Sequence, residues 1–217
     1  MKTSIFFRRV LPALTIISFI GQLFFYPRLP KHIPIQWSSD GQVNTYGPSW
    51  MALILAALPF AVWLLMNILP KIDPRRRSYQ QHIKAYHIFM AVISLFLMAA
   101  SWFSTLTAIG LSLPISSILA VLLGIIFFII GNYMPQIRSN YTFGIKTPWT
   151  LEDPEVWRKT HRLGGVLFCL MGLAFILSGL FATPLLRSII PFTVILSIVL
   201  TYGYSYILYR KRTTSGK

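Results

Sequence analysis

The chain is poor in acid and almost without cysteine. Of 217 residues only five are Asp or Glu, and Cys169 is the single thiol. One cysteine excludes an intramolecular disulfide and a thiolate cluster for a metal. No glycine-rich phosphate loop is present, which removes the simplest nucleotide-binding signature. The five acids, Asp40, Asp73, Glu152, Asp153 and Glu155, all fall in polar connections rather than in apolar runs. A proton- or ion-coupled carrier needs carboxylates inside the bilayer, so this class is disfavoured.

What the chain does have is hydrophobicity: 55% of residues are hydrophobic and 12% charged, with mean hydropathy +0.63. These values lie outside the range of soluble globular domains. Six apolar runs stand out, at 10–26, 50–69, 87–109, 115–134, 164–182 and 189–209. Each approaches the ~20 residues that cross ~30 Å of hydrocarbon. Helices are required, because backbone groups in lipid must pair within the segment and the runs lack the alternation of barrel strands. The first run has no small-x-small cleavage site and is read as a retained helix. The expected fold is all-α: a polytopic helix bundle with six transmembrane helices.

The net charge of +15 invites a nucleic-acid reading, which the placement of the charges removes. Lys2, Arg8, Arg9, Lys71, Arg75, Arg76, Arg77, Lys84, Arg138, Lys146, Arg158, Lys159, Arg162, Arg210, Lys211, Arg212 and Lys217 fall on one side of the six runs. Only Arg28, Lys31 and Arg187 fall on the other. The positive-inside rule therefore puts both termini in the cytoplasm of a multi-pass protein of the cell membrane.

Two units are expected: 1–70, with two spans and an extracellular loop at 27–49, and 85–212, with four spans and a cytoplasmic loop at 135–163. In the outer loop, Ser38-Ser39-Asp40-Gly41 supplies turn chemistry between Ile35-Gln36-Trp37 and Gln42-Val43-Asn44, predicting a short hairpin. The inner stretch 70–86 reads as stop-transfer charge able to attract anionic membrane lipids. His82 and His87 are five apart, off the spacing of a helical metal pair, and no metal or cofactor is expected.

Small residues recur every seven positions in two neighbouring runs: Ser117, Gly124 and Gly131, then Gly165, Gly172 and Gly179. An antiparallel register that pairs Gly131 with Gly165 also pairs Gly124 with Gly172 and Ser117 with Gly179. Small residues let helices approach closely where lipid removes the hydrophobic drive.

The inner loop has a strong helix start at Asp153-Pro154-Glu155, with Thr150 and Asp153 forming a competing cap one turn earlier. Glu155 precedes Lys159 by four, the favourable order for an ion pair. Before it, Gly144, Pro148, Tyr141, Phe143 and Trp149 predict an irregular, interfacial segment. Catalysis finds no support: Glu155 and His161 lie about 120° apart on a helix, with no activated nucleophile beside either. No catalytic residue is assigned.

The motifs Gly131-Asn132-Tyr133-Met134-Pro135, Asn140, Gly144-Ile145-Lys146-Thr147-Pro148-Trp149-Thr150-Leu151 and Val156-Trp157-x-x-Thr160-His161-Arg162 resemble the characteristic region of the SdpI-like bacterial toxin-immunity family. Pro34, Trp37 and Gly41, within Leu29-Pro30-x-x-Ile33-Pro34-Ile35-Gln36-Trp37 and the following turn, resemble the small domain of unknown function that precedes it in many members. Gln36 stands where many relatives have histidine. The resemblance implies a six-span protein that protects the cell from a secreted, membrane-active peptide toxin that collapses the proton gradient. It also implies, for some relatives, signalling by holding a cytosolic transcriptional regulator at the membrane. Alternatives are a receptor or scaffold that docks such a regulator without toxin contact, and a small-molecule permease. Direct nucleic-acid binding is not expected.

Overall fold

The computed structural model describes residues 5–38 and 41–215. The charges Lys2 and Lys217, and Ser39 and Asp40 of the expected hairpin turn, lie outside the described residues. A single π-helical turn, Phe6–Val10, leads into α1 (Leu11–Phe25). Strands β1 (His32–Trp37) and β2 (Val43–Pro48) follow, then α2 (Met51–Ile72), α3 (Tyr79–Ala108) and α4 (Ile115–Tyr133). A short α5 (Pro148–Glu152) precedes α6 (Pro154–Phe181) and α7 (Pro184–Ser215). The architecture is all-α apart from the two-stranded hairpin. Among the described residues, six helical segments are long and apolar enough to cross a membrane.

The helices run past the apolar stretches that announce them. At about 1.5 Å per residue, α6 is roughly 42 Å long, more than the hydrocarbon core requires. Its first turns, and those of α3, therefore extend beyond the hydrocarbon as ordered helix. Local chemistry sets the ends: Pro154 occupies the first turn of α6, and Ala182 closes it in the left-handed region at φ 53°. In α3 the helical path breaks at His82, with φ −131°.

The chain forms two compact units: 1–67 with 87–122, and 68–86 with 123–217. In the first, α1 and the membrane part of α3 share a polar seam. The buried Gln22 amide donates to Ser101 Oγ at 2.8 Å and accepts from Thr105 Oγ1 at 2.9 Å, and Trp102 Nε1 donates to Ser18 Oγ at 2.7 Å. Trp63 Nε1 donates to the Phe7 carbonyl at 2.9 Å, and the Phe7 ring stacks on His87. The hairpin pairs antiparallel from His32–Pro48 to Trp37–Val43, with an irregular register around Gln36. Buried Ile33 and Pro34 face the unit's interior, and Ser104 Oγ donates to the Pro34 carbonyl at 2.6 Å. Gly41 closes the turn at φ 93°, a conformation that side-chain-bearing residues resist.

The second unit is built on the close approach of α4 and α6. A Cβ placed on Gly131 would stand 2.6 Å from the Gly165 carbonyl oxygen, and one on Gly172 the same 2.6 Å from that of Gly124. Backbone meets backbone at both levels, so only glycine fits. Gly179 is buried and Ser117 half-buried. On α7, the buried hydroxyls of Ser197, Thr201 and Ser205 recur every four residues along one face.

Candidate functional site at the loop end of the second unit

The irregular segment 137–147 is held by three anchors. Asn140, fully buried, acts as a turn builder: its Oδ1 accepts the N–H groups of Thr142 at 3.0 Å and Phe143 at 2.9 Å, while Nδ2 donates to the Arg138 carbonyl at 2.9 Å. This closes a tight loop that passes into Gly144 at φ 111°. A Cβ there would sit 2.5 Å from His161 Nε2, so glycine is demanded both by the backbone and by the space.

His161 is the second anchor. Its Nδ1 lies 2.9 Å from the Trp157 carbonyl and its Nε2 accepts the Ile145 N–H at 3.0 Å. A carbonyl only accepts and an amide only donates, so the proton sits on Nδ1 and the ring is neutral. The imidazole stacks on Trp157 with centroids 4.1 Å apart, and Trp157 Nε1 donates to the Ile137 carbonyl at 2.8 Å. With both ring nitrogens committed and the side chain fully buried, His161 ties the loop to α6 and is not free for acid–base work.

The third anchor is a pair of consecutive caps. Thr147 is the N-cap of α5, its hydroxyl accepting the Thr150 N–H at 3.2 Å while Thr150 Oγ1 accepts the Thr147 N–H at 2.8 Å. Pro148 then takes the first helical position. The competing cap expected at Thr150 is thus corrected by one turn: Pro148 forces extended backbone on the residue before it, which puts Thr147 at the boundary. Asp153 independently caps α6, accepting from Glu155 N–H at 2.7 Å and Val156 N–H at 3.2 Å, and binds Arg212 Nε at 2.6 Å. Burial raises the Asp153 carboxyl, but the Arg212 guanidinium and the two N–H donors outweigh it and hold it below its ordinary value. Glu155 meets Lys159 at 3.6 Å and, more closely, Arg158 at 2.7 Å.

The remaining motif residues surround these anchors. Trp149 packs edge-on against Tyr202, with centroids 5.2 Å apart, and tilted against Tyr206 at 5.1 Å. Thr147 Oγ1 donates to Ser205 Oγ at 3.1 Å, tying the loop to α7. Pro135 lies in the 3-10 turn Met134–Gln136, with its ring against Gly165. Thr160 is buried, whereas Asn132 and Arg162 are exposed. Pro34, Trp37 and Gly41 belong to the hairpin of the other unit and are not part of this cluster.

The stretch 70–86 is more than stop-transfer charge. Asp73, 3% exposed, accepts from the Arg75 N–H at 2.7 Å, Tyr79 OH at 3.0 Å, Thr142 Oγ1 at 3.0 Å and Tyr141 N–H at 3.1 Å. Burial pushes this carboxyl up, but the four donors prevail and its proton affinity falls below the ordinary aspartate value. Arg75 reaches Ser139, the Tyr141 hydroxyl at 3.2 Å and the Leu151 carbonyl at 3.0 Å, with its guanidinium 4.5 Å over the Tyr141 ring. His82 Nδ1 accepts the Arg138 N–H at 3.2 Å, and Phe143 packs among Tyr79, His82 and Tyr86. Sequence reasoning missed Asp73, Arg75, Tyr79 and Ser205. The one available signal was a lone acid in a strongly basic stretch.

Together these features define a six-span α-helical membrane protein in which the loop between two spans is a buried, hydrogen-bonded element. The SdpI/YfhL protein family matches residues 136–207, and a domain of unknown function, DUF1648, matches residues 13–66. It is similar to Immunity protein SdpI of Bacillus subtilis (strain 168), at 25% identity over 195 residues that cover 90% of this chain and 92% of that one. No solved structure matches it.

Proposed function

We propose that this protein is an integral membrane immunity protein that protects its cell from a secreted, membrane-active peptide toxin. The observation that carries the reading is the similarity to an immunity protein along nearly the whole of both chains. The hairpin and the outer helix ends form the encounter surface, because a toxin arriving from outside meets them first. The cytoplasmic loop keeps the inner ends of α4, α6 and α7 in one arrangement, the rigid element against which a change outside can be read.

A cleft of ≈ 410 Å³ beside this loop supports a second role, docking of a cytosolic transcriptional regulator. Arg138, Asp153, Glu155, Arg158 and Arg212 line it, alternating charges suited to a polar protein surface.

The experiment is expression in a toxin-sensitive bacterium, with membrane potential followed after challenge with secreted peptide toxins. Protection of the potential supports immunity. Collapse identical to that of the empty-vector strain across the toxin panel overturns it. Capture of a cytosolic regulator that is lost in Arg138→Glu supports the docking role, and capture unaffected by that change removes the cleft from it.

A further inference from the structure

A second cavity, of ≈ 320 Å³, lies in the second unit where α4, α6, α7 and the end of the irregular segment, at 145–147, meet. Its body is apolar, with Phe127 from α4, Phe168 and Met171 from α6, and Ile198 and Tyr202 from α7. Ile198 and Tyr202 are also exposed, so the cavity opens sideways toward lipid. The apolar part of α6 starts near Gly164, and Met171 lies about 10 Å further along the helix, which sets the cavity in the inner half of the bilayer. Lys146 forms part of the wall at the loop end. Its ammonium is held by the carbonyls of Tyr141 at 3.2 Å and Thr142 at 3.1 Å, and among the described residues no carboxylate lines the cavity.

We propose that this cavity is a lipid site that takes one acyl chain of an anionic inner-leaflet lipid, with the phosphate on Lys146. Three observations argue for this occupant. The polarity is amphipathic in one sense, apolar within and cationic at the cytoplasmic mouth, which matches an acyl chain with an anionic head. The volume is at the small end of ligand pockets, roughly 300–1,000 Å³, enough for one chain and too small for a folded peptide. The opening faces the inner leaflet, whereas a peptide from outside would have to cross the bilayer to enter. The lipid would then lie directly against Ile145, Lys146 and Thr147, giving these motif residues a ligand besides their structural bonds.

The test uses the full chain in phosphatidylcholine vesicles doped with phosphatidylglycerol whose acyl chain has a photoactivatable diazirine. Labelling is expected on Phe168, Met171 and Ile198. Native mass spectrometry should show phosphatidylglycerol retained on the wild type and lost from Ile198→Trp, where the indole fills the cavity from a lipid-exposed position. Lys146→Gln, used once its unfolding midpoint is shown to equal that of the wild type, should lower phosphatidylglycerol retention about fivefold, the effect of one cation near an anionic surface, and leave phosphatidylcholine unchanged. Palmitate displacing phosphatidylglycerol would identify a free fatty acid as the source of the same chemistry. Equal retention in all three proteins, with label spread over Phe192 and Ile195, would overturn the proposal. So would an Ile198→Cys disulfide dimer in a Cys169→Ser background, which would place a second copy of the chain at this face.

Discussion

Gly144 and His161 fit each other: the left-handed backbone of Gly144 brings Ile145 N–H to 3.0 Å from His161 Nε2, in space where a Cβ would stand 2.5 Å from that nitrogen. The loop's path and the imidazole's position therefore depend on each other. Gly144→Ala should destabilise the second unit by about 1–3 kcal/mol from backbone conformation alone, before the clash is added. Chemical unfolding in detergent followed by Trp fluorescence measures it, and stability equal to wild type would refute the coupling.

The same geometry separates two substitutions at His161. His161→Ala leaves the buried Ile145 N–H without an acceptor and removes the stack on Trp157, an expected loss of about 2–4 kcal/mol. His161→Phe keeps most of the stack and loses only the two hydrogen bonds. Its unfolding midpoint should fall between wild type and His161→Ala; a midpoint at or below that of His161→Ala would show that stacking contributes nothing.

Asp73 gives a pH dependence with a definite sign. Its folded-state proton affinity is lowered, so its contribution is present above the unfolded carboxylate pKa of about 3.9 and is lost as pH falls through the folded value. Asp153 is shifted the same way and acts in the same range. Asp73→Asn should lower stability at neutral pH by about 1–3 kcal/mol and flatten, without abolishing, the decline below pH 4. An acid limb superimposable on the wild type's would exclude Asp73 as a contributor.

Gly124 and Gly172 should cross-link when both are replaced by cysteine in a Cys169→Ser background, because their backbones are in contact and the small outward shift that two Cβ atoms force still leaves the sulfurs within reach of each other. Oxidation in native membranes followed by a mobility shift reads the disulfide. Gly124→Leu, in contrast, should separate α4 from α6 and lower the yield of folded protein. Failure of the pair to oxidise while a control pair elsewhere does would remove the close approach.

In the first unit, Gln22→Leu removes the amide that joins Ser101 to Thr105. Hydrogen bonds between membrane helices average about 0.6 kcal/mol and reach about 1.7, so a modest loss in that range is expected. A larger loss would mean that the seam acts cooperatively.

The sequence alone determined the six spans, the hairpin and the resemblance to the SdpI-like family. Apolar runs of bilayer length admit only helices, turn residues between short polar strands admit a hairpin, and the motifs of the inner loop are distinctive. Charge placement predicts the orientation through the same one-dimensional reading. Tertiary structure decided what the polar residues of 68–86 do. Asp73 and Arg75 read as charge in a basic loop, and only the return of 139–142 onto them supplies the Tyr141 and Thr142 donors and the Ser139 and Leu151 acceptors. Local signals placed the cap at Asp153 correctly and the competing one at Thr150 a turn late, and the Thr147–Ser205 bond spans 58 residues that no local pattern relates. Periodicity and composition report on neighbours along the chain, whereas a buried carboxylate is defined by the donors that the fold brings to it from elsewhere.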